Sequence, residues 1–368
     1  MSDVPFLDLG AAHEELKSRI EPAVERVLRS GWYIGGPEVE RFEADYAAFC
    51  EAEHCVGVGN GLDALFLVLA AMGVGAGDEV IVASNGFIAT LLAVSRLGAV
   101  PILVEPDPHT HNLDPSKVAE AITARTKVIL PTHLYGQPAD LDPLLDIARK
   151  HGLRLVEDAA QAHGARYKGR RIGAHGDAVT WSFYPTKNLG AMGDGGAVTT
   201  NDPQLAARVR QLGNYGSKER YINEVRGVNS RLDPLQAAIL TEKLPLLDEW
   251  NERRRAVAST YSSALSDLPG LRVPAVPNWA DPVWHLYVVQ SSDRNALQRR
   301  LADAGVQTHI HYPVPPHRQQ AYADLDYAVG SFPIAERLAT EVLSLPMGPH
   351  LSEDQVTQVV GAVRASLT

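Results

Sequence analysis

Lys187, Asp158 and the glycine-rich turn Gly57–Gly61 are the features of this sequence whose residue types best suit chemistry. Lys187 is the only basic residue between Thr180 and Ala197, and a glycine-rich segment follows it. A lysine in a dry pocket has a depressed pKa and can form an imine, because burial disfavours its ammonium form. A lone loop lysine is more often an ordinary solvated residue, so its neighbours in the fold must decide its role.

Asp158 closes the apolar run LRLV, 29 positions before Lys187. The carboxyl ends of strands are the places where open α/β sheets bind ligands. An aspartate at such a place could cap the following helix. It could instead stay ionised against a protonated ring nitrogen and strengthen electron withdrawal by a cofactor.

The turn at Gly57–Gly61 leads from a strand pattern into a helix start, within the segment GVGNGLDA. Free backbone amides and the positive end of the helix dipole favour a phosphate there, although many turns of this kind bind nothing. A phosphate site, a partner for a pyridinium nitrogen and a lone lysine are together what pyridoxal phosphate requires. The combination therefore predicts this cofactor.

The elements that must position these residues alternate between short β-rich runs and helical patterns from Cys55 to Thr200. This alternation predicts an α/β domain with a mainly parallel sheet covered on both faces. Asp233 and Pro234 open a helical pattern that continues towards Leu265, which we interpret as a connector.

Beyond Pro269 the pattern becomes shorter and mixed. The runs WHLYVVQ and THIHY predict strands, and residues 295–304 and 353–367 predict helices. We expect residues 1–245 to form N-terminal helices and the large cofactor-binding domain. Residues 246–368 are then the connector helix and a smaller α+β domain.

The 368 residues carry a formal charge of -10. Because an acidic surface binds polyanions poorly, we expect no nucleic-acid partner. No apolar run approaches the ~20 residues that span a bilayer, and the opening MSDVPFLDLG lacks the pattern of a secretory signal. We therefore expect a cytoplasmic protein without a membrane partner. Cys50 and Cys55 lack the companions of a zinc site, so no metal is expected.

The segments EDAAQAHGA and SFYPTKNLGAMGDGGA are highly specific, and with them nearly the whole chain resembles the sugar aminotransferases of the DegT/DnrJ/EryC1/StrS family. The resemblance implies the aspartate-aminotransferase fold, which is fold type I of the enzymes that use pyridoxal 5'-phosphate. A mainly parallel, seven-stranded sheet would form the large domain. The resemblance also implies a homodimer with shared active sites.

Residue by residue, the resemblance implies that Lys187 carries the imine link to the cofactor and that Asp158 pairs with its ring nitrogen. Gln161 would bond the cofactor's phenolic oxygen, and Phe87 would stack on its ring. The residues implied at the phosphate are Ser182, the backbone of Asn60, Gly61 and Leu62, and Asn229 of the partner subunit. Those expected near the sugar and its diphosphate are Tyr33, Tyr184, Tyr215, Lys218, His309, His311 and Tyr312.

Three segments, GNGLDAL, SFYPTKNLGA and THIHYPVPPH, look most like the branch that aminates C-3 of dTDP-linked 3-keto-6-deoxyhexoses. L-Glutamate is the usual amino donor in that branch. A C-4 or UDP-sugar aminotransferase of the same family is the alternative. A sugar dehydratase of the family would have His in place of Lys187. A regulatory homologue would be expected to have lost Lys187, Asp158 or Gln161, and all three are present.

Overall fold

The computed structural model describes residues 3–367. The α-helices are α1 Leu9–Ser30, α2 Pro37–Phe49, α3 Gly61–Ala71, α4 Ile88–Ser95, α5 Pro115–Ala121, α6 Leu141–His151, α7 Pro203–Gly213, α8 Pro234–Lys243, α9 Leu247–Leu265, α10 Arg294–Asp303, α11 Pro333–Glu341 and α12 Glu353–Leu367. The strands are β1 His54–Val58, β2 Glu79–Ala83, β3 Val100–Val104, β4 Thr126–Leu130, β5 Arg154–Asp158, β6 Arg166–Tyr167, β7 Arg170–Arg171, β8 Ala178–Ser182, β9 Gly196–Thr200, β10 Ser217–Glu219, β11 Ile222–Asn223, β12 Leu271–Arg272, β13 Ala280–Asp281, β14 Tyr287–Ser291 and β15 Val342–Leu345.

Seven strands form the central sheet, in the order β1-β9-β8-β5-β4-β2-β3. The pairs from β8 through β5, β4 and β2 to β3 are parallel, whereas β9 runs antiparallel to both of its neighbours. The expected α/β fold with a mainly parallel sheet is therefore confirmed. Because β5 and β8 are parallel neighbours, Asp158 and Ser182 end their strands at the same edge of the sheet.

Helices cover both faces of this sheet and bury its apolar strands. One core cluster joins α2, α6 and α8 to the sheet through residues such as Phe42, Leu144 and Leu240. A second cluster on the other face contains α3, α4 and α7. Strands β2 and β9 are buried along their whole length. Residues 80–83 of β2 form a continuous apolar run, as burial on both faces favours, whereas β9 ends with two buried threonines.

The C-terminal part contains the antiparallel sheet β12-β14-β15, with α9, α10 and α12 in its core. Val4 lies in the same core, and its backbone bridges to Val306. The boundary between residues 245 and 246 remains a prediction, and α9 begins close to it at Leu247. Residues 1, 2 and 368 of the two predicted ranges lie outside the described part of the chain.

Two predicted elements are wrong in detail. The helix expected from Pro234 towards Leu265 is interrupted, since α8 ends at Lys243 and a 3-10 turn at Leu244–Leu246 precedes α9. Pro245 explains the break, because a proline ring clashes with the carbonyl one turn before it. The run THIHY is not a strand and makes only an isolated bridge, between His309 and Ser344.

Within residues 3–367, no helix is long and apolar enough to cross a membrane. The same residues contain no group of three or more His, Cys, Asp or Glu side chains that could hold a metal ion.

Candidate active site

Asp158 lies buried at the carboxyl end of β5, with a hydrogen-bond donor on each carboxylate oxygen. The hydroxyl of Thr90, in the first turn of α4, donates to Oδ2 at 3.0 Å. The backbone amide of Ala160 donates to Oδ1 at 3.1 Å. Burial raises the pKa of Asp158, while these two hydrogen bonds and the charge of Lys187 oppose the rise. The carboxylate is thus held in place by neutral donors, with the charge of Lys187 nearby.

Lys187 follows β8 in a loop, and its side chain forms no hydrogen bond or ion pair with any residue in the described range 3–367. Burial lowers the pKa of its ammonium group to about 8, and the negative charge of Asp158 acts in the opposite direction. A neutral amine is therefore present in quantity near physiological pH. This is the state in which a lysine can attack a carbonyl carbon.

The loop that carries Lys187 is held by a side chain of the connector helix α9 and by a backbone carbonyl that follows it in the chain. Asn188 Nδ2 donates to Asn251 Oδ1 at 2.9 Å and to the carbonyl of Val283 at 2.8 Å. A Cβ at Gly190 would lie 2.3 Å from the carbonyl oxygen of Pro185, so only glycine permits this tight fold of the loop. These contacts hold the lysine's backbone rigid, which is what precise proton transfer requires.

Gln161 is oriented by two tyrosines. Its Oε1 accepts the backbone N–H of Tyr135 at 2.6 Å, and its Nε2 donates to the hydroxyl of Tyr312 at 3.1 Å. The ring of Tyr312 lies 5.3 Å from that of Phe87, between centroids, and the Phe87 side chain is 51% exposed. Phe87 precedes the first residue of α4, and Thr90 follows three positions later in the first turn of the same helix. This turn therefore carries both the exposed ring and the hydroxyl that bonds Asp158.

The glycine-rich turn brings the start of α3 against the end of β8. Asn60 caps α3 by accepting the amide of Asp63 at 2.8 Å. A Cβ at Gly61 would come within 2.7 Å of Ser182 Cβ, so the two segments approach as closely as glycine allows. As the first residues of α3, Gly61 and Leu62 have amides that no intrahelical carbonyl accepts. These amides and the Ser182 hydroxyl fit a phosphate group.

Of the remaining predicted residues, Tyr184 lies in the Lys187 loop, where its backbone carbonyl accepts the amide of Lys187 at 2.8 Å. The Tyr33 hydroxyl donates to the carbonyl of Leu28 at 3.2 Å, and Lys218 pairs with Glu224 at 3.0 Å. Tyr184 and Tyr215 are half exposed, and Asn229 is exposed with only a backbone bridge to Asn214. Within residues 3–367, none of these side chains bonds to Lys187, Asp158 or Gln161.

The two histidines of THIHY have different surroundings. His309 is exposed, and its ring centroid lies 4.5 Å from that of Phe6 in an edge-to-face arrangement. His311 Nδ1 lies 2.8 Å from Ser344 Oγ, and burial lowers the pKa of His311 to about 4. Its neighbour Tyr312 contacts Gln161 directly. Tyr312 thus lies beside Gln161, whereas His309 is exposed. The roles predicted for both residues at the sugar stay predictions.

The geometry fits pyridoxal phosphate at each of its functional groups. Asp158 would hold the ring nitrogen, Lys187 would bind the aldehyde carbon, and the start of α3 with Ser182 would hold the phosphate. Among residues 3–367, the Asp158 carboxylate has only neutral donors and the Lys187 side chain has no hydrogen bond or ion pair, a combination that an ordinary core would not keep.

Comparison with known proteins agrees with this assignment. The model of the DegT/DnrJ/EryC1/StrS aminotransferase family matches residues 14–364. The chain belongs to this family. The family expectations of fold type I, of an aminotransferase and of pyridoxal phosphate as cofactor are confirmed.

Three relatives illustrate the similarity. The chain is 61% identical to the erythromycin biosynthesis sensory transduction protein EryC1 of Saccharopolyspora erythraea, over 99% of each chain. It is 55% identical to the dTDP-3-amino-3,4,6-trideoxy-alpha-D-glucose transaminase of Streptomyces venezuelae, over 98% of this chain and 95% of that one. The crystal structure of S. venezuelae DesV in complex with a ketimine intermediate has a TM-score of 0.98 at 54% identity, covering 99% of this chain and 98% of that chain.

Sequence reasoning missed several residues of this family member's site. Thr90 bonds Asp158, and its spacing of three from Phe87 on a helix was the available signal. His163 and His285 are buried, and burial together with the charge of Lys187 lowers the pKa of His163 to about 3 and that of His285 well below its usual value. These rings stay neutral and add no positive charge beside Lys187.

The buried side chains of His133 and Glu157 form a pair at the carboxyl end of β5. His133 Nδ1 accepts the amide of Ala139 at 3.0 Å, so its proton is on Nε2, which lies 2.9 Å from Glu157 Oε2. The amide of Gly176 donates to Glu157 Oε1 at 2.7 Å. Nothing in the spacing of the sequence indicated that His133 and Glu157 would meet.

Proposed function

We propose that this enzyme transfers the amino group of L-glutamate to C-3 of a dTDP-linked 3-keto-6-deoxyhexose. The observation that carries the proposal is the buried Asp158 near Lys187, whose side chain has no hydrogen bond or ion pair within residues 3–367. The chain is 55% identical to a transaminase named for a dTDP-3-amino sugar. The three segments that resemble the C-3 branch give the regiochemistry.

Each residue then has a defined task. Asp158 keeps the ring nitrogen protonated, Phe87 covers a face of the ring, and the amides of Gly61 and Leu62 hold the phosphate. When bound, pyridoxal phosphate supplies an electron sink for the electron pair released at the carbon that loses its proton. Lys187, with its pKa of about 8, takes that proton from the donor and returns it to the sugar carbon.

We propose further that the active unit is a homodimer. Large apolar side chains are exposed near α1 and on the loops around the site, including Trp32, Tyr33, Ile34, Tyr184 and Tyr215. Surfaces of this kind are characteristic of protein interfaces. In such a dimer, Asn229 of the partner subunit would reach the phosphate, and Tyr33, Tyr215 and Lys218 would reach the sugar diphosphate. A cytoplasmic location also remains a prediction.

Two other functions are less well supported. The name of the EryC1 relative suggests a regulatory role for that protein. A protein without catalysis has no reason to keep a lysine with a pKa of about 8 beside a buried carboxylate. A dehydratase of this family is disfavoured because Lys187 occupies the position at which such enzymes have His.

The deciding experiment runs the reaction in reverse, with 2-oxoglutarate and paired dTDP-3-amino and dTDP-4-amino isomers of one sugar. We expect the 3-amino sugar to be consumed in preference, because Lys187 must reach the sugar carbon that loses its proton in this direction. UDP-linked versions of both sugars serve as controls for the nucleotide. A tenfold preference for the 4-amino isomer, ~1.4 kcal/mol in the competing transition states, would overturn the regiochemistry. Failure with every amino sugar would overturn the proposed function.

A further inference from the structure

Two hydrogen bonds of Tyr135 connect it to Tyr312 by separate routes. Its backbone N–H donates to Gln161 Oε1 at 2.6 Å, and Gln161 Nε2 donates to the Tyr312 hydroxyl at 3.1 Å. Its own hydroxyl donates to the carbonyl of His311, the residue before Tyr312, at 2.5 Å. Burial raises the pKa of Tyr135, so the hydroxyl keeps the proton that it donates. Tyr135, Gln161 and Tyr312 therefore form a closed ring of contacts.

The backbone of Tyr135 has an unusual conformation. Its φ of 62° lies in the left-handed region, which bulky residues seldom adopt. Such a conformation persists only where the surrounding structure determines it. The carbonyl of Tyr135 accepts the amide of Leu286 at 3.2 Å, so the backbone donor, the backbone acceptor and the side chain are all engaged. Residues of this kind collect at functional sites, which makes Tyr135 a candidate for a role beyond packing.

The two tyrosines together fix the orientation of the buried Gln161 amide. A backbone N–H can only donate, so the atom of Gln161 that faces Tyr135 is the oxygen. The NH2 group then faces Tyr312, and one of its two hydrogens goes to that hydroxyl. The other hydrogen has no acceptor within residues 3–367. It is available for the phenolic oxygen of the cofactor, which is the contact that the family resemblance implies for Gln161.

We propose that Tyr135 is a positioning residue for the cofactor, because its hydroxyl holds Tyr312 where that residue directs the second N–H of Gln161 onto the cofactor's phenolic oxygen. The inference rests on the proposed function through the role predicted for Gln161, and it is independent of which sugar the enzyme uses. The ring of Tyr312 also lies 5.3 Å from that of Phe87, between centroids, and Phe87 is expected to cover the cofactor ring. A shift of Tyr312 would therefore change the surroundings of the cofactor itself.

The test is the affinity of the cofactor-free protein for pyridoxamine phosphate and for its 3-deoxy analogue, measured by calorimetry. Neither compound has an aldehyde that can bond Lys187, and the analogue lacks only the phenolic oxygen. Tyr135→Phe keeps the ring and the backbone N–H and removes one hydroxyl. We expect it to weaken binding of pyridoxamine phosphate by about three- to tenfold, the range of one hydrogen bond, and to leave binding of the analogue within about twofold of wild type.

Tyr261→Phe is the matched control. Tyr261 is buried on α9, and its hydroxyl donates to the carbonyl of Pro346 at 3.0 Å, so this change also removes one bond from a tyrosine to a backbone carbonyl. Within residues 3–367, its side chain bonds none of Tyr135, Gln161 and Tyr312. Because the site is distant from this bond, both ligands should bind to the variant within about twofold of wild type.

Tyr312→Phe tests the route by which Tyr135 acts. It should show the same selective loss, and the double variant should lose no more than Tyr312→Phe alone, because both changes affect one contact. Unchanged binding of pyridoxamine phosphate by Tyr135→Phe, an equal loss for both ligands or additive losses in the double variant would overturn the positioning role. A Tyr135→Phe protein that fails to fold would overturn it as well, since Tyr135 would then be a residue of the core alone.

Gln161→Leu separates this inference from the predictions on which it rests. If Gln161→Leu discriminates between the two ligands as wild type does, the role of Gln161 is refuted and the inference with it. If Gln161→Leu loses the discrimination and Tyr135→Phe keeps it, only the role of Tyr135 is refuted. An enzyme that shows the expected losses but converts no amino sugar would leave the role of Tyr135 intact and refute only the proposed function.

Discussion

The hydrogen bond from Thr90 to Asp158 gives the sharpest test of the site. Thr90→Val removes the hydroxyl and keeps the branched shape, so packing in α4 changes little. Asp158 then keeps one protein donor, the amide of Ala160. Because burial already raises the pKa of Asp158, losing a donor to the ionised form raises it further.

The expected magnitude follows from the charge on the acceptor. A hydrogen bond to a charged group contributes about 1.5–3 kcal/mol, which corresponds to roughly 10- to 150-fold in a rate or binding constant. We expect Thr90→Val to slow the half-reaction with glutamate by this factor, because Asp158 would hold the protonated ring nitrogen less firmly. Cofactor affinity, from spectrophotometric titration of the cofactor-free protein, should fall as well.

Thr90→Ser is the matched control, since it keeps the donor and loses only a methyl group. It should stay within about fourfold of wild type, given that a buried methylene contributes ~0.8 kcal/mol. If Thr90→Val and Thr90→Ser were equal in half-reaction rate and in cofactor affinity, the hydroxyl would have no part in holding Asp158. Thermal midpoints of both variants would show that each is folded at the assay temperature.

Two further predictions concern Lys187 and the partner subunit. Uptake of pyridoxal phosphate by the cofactor-free protein should rise with pH to a midpoint near 8, because the lowered pKa of Lys187 makes its amine neutral above that pH; a stopped-flow midpoint above 10 would contradict this. Mixing Lys187→Ala with Asn229→Ala should restore activity, since only a mixed dimer has one site with both residues intact. No recovery after verified subunit exchange would count against a shared site.

The sequence was sufficient for those residues whose roles are local. Asp158 and Lys187 could be predicted because the carboxyl ends of parallel strands meet at one edge of an α/β sheet. A carboxylate and a lone lysine at that edge are the residue types that pyridoxal phosphate requires. The start of α3 was readable because glycine and a capping Asn60 mark a helix start after a strand. Apolar runs likewise indicated strands of the central sheet such as β2, since burial on both faces favours an unbroken apolar pattern.

What could not be predicted depends on packing between distant segments. Thr90 and Asp158 are 68 positions apart, and their contact depends on how α4 lies against β5. Lys243 and Arg254 read as ordinary charged residues of a helical pattern, and only the break at Pro245 and the packing of α1 enclose them. THIHY has the composition of a strand, but prolines at 313, 315 and 316 follow it, and a proline cannot donate to a sheet.

The pair of Glu157 with His133 allows a last prediction, on the stability of the strand end. Burial alone would raise the pKa of Glu157, but hydrogen bonds from His133 and Gly176 lower it below its usual value. Both partners are donors: the His133 proton is on Nε2, because Nδ1 accepts the Ala139 amide. Glu157→Gln offers one oxygen and one NH2 group to these two donors, so one donor must stay unpaired.

An unpaired buried donor costs about 1–3 kcal/mol, so Glu157→Gln should lower the free energy of unfolding by that amount at pH 7. The direction in which this stability difference changes with pH follows from the lowered pKa of Glu157. The ionised carboxylate's contribution is fully present above the unfolded-state pKa of Glu and is lost as pH falls through the lower folded value. The difference between wild type and variant should therefore be constant from pH 8 to about 5 and shrink only in more acidic solution. Chemical denaturation at fixed protein concentration measures it, with Glu120→Gln on the exposed face of α5 as control. A difference that grows as pH falls would mean that Glu157 is protonated in the folded protein, and the arrangement of donors around it would then be wrong.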